Sequence, residues 1–157
     1  MERIVVVAIS NAQARFLTLE QAEWPEYESG PHLIEQSNLE HSKLKSDRGL
    51  WTKVTKKPHQ NTRALEEARY QFERKFAQEI TGEIIHLIRI KQGQKLILIA
   101  RPQILNLIHK SFTPTLFNNL HIQELAKDIG HFSPSQIHQY LAQKQLVPAC
   151  QTVVYPR

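Results

Sequence analysis

Seven cations fall between Lys43 and Arg63, namely Lys43, Lys45, Arg48, Lys53, Lys56, Lys57 and Arg63, against the single carboxylate of Asp47. Trp51 lies among them. Cations spaced along an irregular segment beside an aromatic ring match the needs of a phosphate backbone: the charges displace condensed counterions and the ring stacks on a base. The stretch before it has the opposite sign, with six acidic residues and no lysine or arginine from Glu20 to Glu40. On these grounds Trp51, Lys53, Lys56, Lys57, His59, Gln60 and Arg63 are the candidate RNA contacts. A solvated basic segment with no ligand is the plain alternative, because charge patterning alone discriminates weakly.

Other chemistries find less support. The eight histidines include no pair at the i, i+4 spacing of a helical zinc site, and the one cysteine, Cys150, lies far from most of them, so no metal is expected. A serine nucleophile would need a Gly-x-Ser-x-Gly elbow, which is absent, and Ile9-Ser10-Asn11-Ala12 after the first strand is no glycine-rich phosphate cradle. Carboxylate-based hydrolysis needs acidic residues that converge, and Asp47 and Asp128 are the only aspartates. Asp128, two residues before Gly130, reads as a turn residue. No catalytic residue and no cofactor is therefore assigned from the residues.

The basic segment runs from about Leu39 to Asn61, long for a connection inside a compact domain, and segments of that length are functional or disordered. The elements around it must position it. Ile4 to Ile9 is a continuous apolar run, read as strand one, and Gln13 to Leu19 alternates as its hairpin partner. Glu20 to Gly30 is punctuated as a loop, and His32 to Gln36 adds an edge strand. After the basic segment comes a long amphipathic helix with Leu65, Ala68, Phe72, Phe76, Ile80, Ile84 and Leu87 on one face. Its start is marked by Asn61 or Thr62 as cap, with Glu66 and Glu67 close enough to complement the dipole.

Gln92-Gly93-Gln94 turns the chain into Leu96 to Ala100, a short β-branched run closed by Pro102 that reads as a central strand buried on both faces. Ile104 to Ile108 forms a short helix, and Thr113-Pro114 opens a second through Leu120. His121 to Lys127 makes the last strand, and Ser133-Pro134 opens the final helix with Ile137, Tyr140 and Leu141 turned inward.

At 157 residues the chain is one domain's worth, expected over 1–148 with a C-terminal tail over 149–157. The net charge is +5. One cysteine excludes an internal disulfide. The apolar run after Met1-Glu2-Arg3 is too short for a signal peptide and has no cleavage site, and no stretch approaches a membrane span, so a cytoplasmic protein without membrane association is expected.

The order of these pieces resembles the bacterial family of host attachment proteins. The resemblance covers nearly the whole chain and is carried by Ala12-Gln13-Ala14-Arg15-Phe16, the loop reaching His59, and Phe72-Glu73-Arg74-Lys75-Phe76-Ala77. It continues in Leu96-Ile97-Leu98-Ile99-Ala100-Arg101-Pro102-Gln103-Ile104-Leu105 and Glu124-Leu125-Ala126-Lys127-Asp128-Ile129. That family in turn looks like the middle domain of archaeal and eukaryotic peptide-chain release factors. The resemblance implies a single α/β domain with a mixed sheet of about five strands and helices on both faces.

In those factors a Gly-Gly-Gln loop just before the long helix enters the peptidyl-transferase centre. Here the matching place reads Pro58-His59-Gln60, so Gln60 is kept while both glycines are replaced by residues that resist positive φ and close backbone approach. This argues against peptidyl-tRNA hydrolysis. The expectation is a non-catalytic protein that contacts ribosomal RNA or tRNA. The alternatives are an interaction or regulatory protein with a protein partner and an indirect role in attachment to host cells, and, more weakly, a hydrolase of peptidyl-tRNA or RNA working through Gln60 or Asp128.

Overall fold

A computed structural model describes residues 2–10, 13–24, 27–40, 62–112 and 120–151. Its elements in chain order are β1 (Ile4–Ser10), β2 (Gln13–Glu20), β3 (His32–Glu40), α1 (Thr62–Lys91), β4 (Lys95–Ala100), α2 (Pro102–Ser111), β5 (His121–Ala126) and α3 (Pro134–Gln143). The sheet is five-stranded and mixed in the order β3-β2-β1-β4-β5. β2 is antiparallel to β1 and β3, whereas β4 is parallel to β1 and β5.

A strand covered on both faces must be apolar wherever it is buried, and β1 from Ile4 to Ile9 and β4 from Leu96 to Ala100 meet that requirement. Val5, Val7, Ile9, Leu96, Leu98 and Ala100 point to a layer made by α1 and α2, with Phe76, Ile80, Ile84, Ile104 and Ile108 among its members. Ile4, Val6, Ala8, Ile97 and Ile99 point the other way, to Ile137 and Leu141 of α3. Helices thus cover both faces of one α/β domain, as expected. The edge strand β3 is longer than its sequence pattern indicated and takes up Leu39 and Glu40, so the basic segment begins later than Leu39. Its register on β2 shifts between Phe16 and Leu17, which face Ser37 and Glu35 and leave Gln36 as the extra residue. The Gln36 amide donates to the buried Thr18 hydroxyl at 2.8 Å, and that hydroxyl donates to Glu20.

Far along the chain, Arg15 clamps the turn between β5 and α3. Its guanidinium pairs with Glu35 and donates to the carbonyls of Gly130, at 3.1 Å, and Phe132. Ser133 caps α3 with a full capping box to Gln136, and Pro134 takes the first helical position, which needs no N–H. The second short helix expected from Thr113-Pro114 lies outside the described residues.

Helix α1 is unbroken through Gly82 and runs to Lys91 as one helix. No acidic residue lies in its first turn, so Glu66 and Glu67 stand too far along to complement the dipole as expected. The turn at its end also differs from the obvious reading. The left-handed residue is Gln92, with φ 52°, while Gly93 N–H closes the helix on Ile88 O at 2.9 Å. Gly93 is small for another reason: a Cβ there would meet Val5 Cγ2 at 3.2 Å. Helix α3 ends the same way, with Gln145 at φ 61° and Leu146 N–H on Leu141 O.

An L-residue in that conformation is strained by about 1 kcal/mol. Gln92→Gly should therefore raise stability by roughly 0.5–1 kcal/mol. Urea denaturation checks it: an unchanged or lower midpoint would mean that the Gln92 side chain contributes more than the strain it bears.

Candidate nucleic-acid interface

A 30-residue helix is about 45 Å long, while strands of six to nine residues reach only about 20–30 Å, so α1 is longer than the sheet it covers. Its fully buried side chains begin at Phe76 and continue through Ala77, Ile80, Thr81, Ile84, Leu87 and Ile88. Leu65 and Phe72 are only half-buried and Ala68 is exposed, which corrects the reading of one uniform apolar face. The core side of α1 is its second half. Its first half carries Arg63, Glu66, Glu67, Arg69, Tyr70, Arg74 and Lys75, all exposed.

The carboxylate of Glu73 anchors this half. It lies 3.7 Å from Arg69 Nε, four residues earlier on the same helix, and 3.7 Å from Arg101 Nη2 at the start of α2. On the neighbouring stripe, Tyr70, Arg74 and Gln78 at steps of four meet Leu107, Lys110 and Ser111 of α2 around a cleft of about 370 Å³. Neither Arg74 nor Lys110 has an ion-pair partner among the described residues. Tyr70 is 44% exposed. The Ser111 hydroxyl is already used, donating to Leu107 O at 3.1 Å. Two unneutralised cations of different geometry, a fork and a point charge, beside an open aromatic ring form an anion-and-ring site in chemical terms.

Of the residues proposed from sequence, Arg63 stands exposed in the first turns of α1. Trp51, Lys53, Lys56, Lys57, His59 and Gln60 lie outside the described residues. Arg74, Lys75 and Lys110 are not among the residues proposed from sequence; Arg74 and Lys75 stand on the exposed face of α1. The steps of four from Tyr70 to Gln78 were the available signal, but only the packing of α2 brings Lys110 to them. Asp128 is a turn residue, its Oδ1 accepting from Gly130 N–H at 3.4 Å.

On the opposite face a larger cavity, about 760 Å³, lies between the start of β3, α3 and the C-terminal segment, with His32, Ser133, His138, Gln139 and Cys150 in its wall. Cys150 is exposed, with Sγ 3.8 Å from His32 Nδ1, and buried His138 bonds through Nε2 to Pro148 O at 2.7 Å. No three potential metal ligands gather among the described residues. Gln151 and Gly30 exchange backbone hydrogen bonds and hold this segment to the start of β3. No helix among the described residues is long and apolar enough to cross a membrane.

Fold and site together define a single α/β domain, a five-stranded mixed sheet whose longest helix extends beyond its core and bears a cationic cleft. The family model described as "Protein required for attachment to host cells" matches residues 5–141, and the chain belongs to that family. Among solved structures, that of an archaeal protein is similar at 12% identity with a TM-score of 0.45, over 93% of this chain and 34% of that one. The chain therefore spans about a third of the length of that protein. No curated protein matches the chain.

Proposed function

We propose that this member of the host attachment family is a non-catalytic, RNA-associated protein whose target is ribosomal RNA or tRNA. The observation that carries the reading is the delivery of the cationic segment. Seven cations against one carboxylate lead directly into a helix whose described side chains before Phe76 are none of them fully buried. A helix end held away from the core is a rigid mount for a segment that reaches into a phosphate-rich surface. The replacement of the two glycines by Pro58 and His59 speaks for docking without hydrolysis. The role in attachment to host cells that the family description names is then indirect, exercised through what the RNA contact controls.

Co-sedimentation with ribosomes and their subunits over a range of salt tests this. The native protein should travel with a ribosomal fraction at low salt and leave it as salt rises. Changing Lys53, Lys56 and Lys57 to Glu should weaken that association by at least about tenfold, since each lost phosphate contact removes a counterion-release contribution. Absence of sedimentation at every salt concentration would remove the reading and turn attention to a protein partner.

A further inference from the structure

We infer that the cleft between α1 and α2 is a subsite for one unpaired nucleotide of a single-stranded RNA, with its phosphodiester between Arg74 and Lys110 and its base on the Tyr70 ring. The inference rests on the RNA reading above and adds to it a place and a strand type. The charges come first. Arg74 and Lys110 are brought together from different helices and have no ion-pair partner among the described residues, whereas nearby Arg69 and Arg101 share Glu73. A planar guanidinium donates two parallel hydrogen bonds to a phosphate and an ammonium adds a compact charge, so the two together suit one phosphodiester.

Tyr70 then selects the kind of anion. An exposed ring next to two cations gives a bare carboxylate nothing to place on it, while a nucleotide covers ring and charges at once. The base must be free of its own stack to reach the ring, which excludes a duplex. At about 370 Å³ the cleft is in the lower range of small-ligand sites, room for a single nucleotide unit. Beyond the two cations and the Tyr70 hydroxyl, Gln78 offers an amide to a base from the described wall, so base preference should be shallow. Glu66 and Glu67, one turn before Tyr70 on α1, repel a phosphate and limit the strand's path on that side.

Fluorescence anisotropy with labelled oligoadenylate, oligouridylate and an RNA duplex of equal length tests the inference on the full chain. Native protein should bind both single strands more tightly than the duplex. Arg74→Glu with Lys110→Glu should weaken single-strand binding about tenfold or more. Tyr70→Ala should weaken it about fivefold or more, with the larger loss on adenylate, the better stacker. All three positions line an open cleft, so thermal melting should stay at the native value and certify the fold.

If these variants bind like the native protein while the Lys53, Lys56 and Lys57 charge reversal abolishes binding, the RNA reading stands and the subsite is overturned. Equal affinity for the duplex also overturns it. Polyglutamate displacing the oligonucleotide at matched charge concentration overturns it in favour of an acidic peptide. Failure of native protein to bind any RNA removes both claims.

Discussion

Phe76→Ala should cost about 4 kcal/mol of folding stability, whereas Leu65→Ala, on the same face of the same helix, should cost about 1 kcal/mol or less. Phe76 is 1% exposed in a layer with Ile80 and Ile104, and truncating it leaves a cavity that its neighbours cannot fill by relaxing. Leu65, eleven residues earlier, is half-buried in the part of α1 beyond the core. Equilibrium urea unfolding of the two variants places the inner boundary of the helix's exposed half. Similar losses at both positions would mean that the first turns of α1 are packed against something substantial. The argument for a projecting mount would then fail.

Gly130→Ala should destabilise the protein by about 3 kcal/mol, and Ser10→Gly in the same chain should recover most of the loss. A Cβ on Gly130 would fall well inside contact distance of both Oγ and Cβ of Ser10, so rotating the serine hydroxyl away does not relieve the overlap. Neither side can retreat. Ser10 ends the central strand β1 in register with Gln13, and the Gly130 carbonyl is held by Arg15. The double-mutant cycle should give a coupling of about 1–3 kcal/mol. Independent effects would show that the turn shifts as a unit and that the Arg15 clamp is soft.

The parts of this fold that the sequence made legible are those decided locally. The uninterrupted apolar runs of β1 and β4 announce strands covered on both faces. Ser133-Pro134 announces the start of α3 because cap and first helical residue are adjacent. What stayed hidden depended on distance along the chain. Arg15 looks like an ordinary outward residue of an alternating strand until the carbonyls of Gly130 and Phe132, more than a hundred residues away, are brought to it. The apolar stripe of α1 has one period throughout, yet only its second half faces the sheet, because period reports a face and not the length of the partner. Gln92 takes the left-handed position that glycine usually fills, and Gly93 is spent on proximity to Val5. At the candidate interface the cations before α1 were legible as composition, while the pairing of Arg74 with Lys110 required two helices to pack.

The place of β1 in the sheet bears on how the nascent chain assembles. β1, β2 and β3 form an antiparallel meander and leave the ribosome first, but the parallel partner of β1 starts roughly 85 residues after Ser10. At synthesis rates of about 5–20 residues per second, the future centre of the sheet waits between about 4 and 17 s for its second neighbour. Throughout that interval β1 is an edge strand, apolar on both faces and unprotected by charge or helix, the kind of edge that recruits other chains. A young copy of this protein thus carries an open, apolar strand edge until α1 and β4 have emerged.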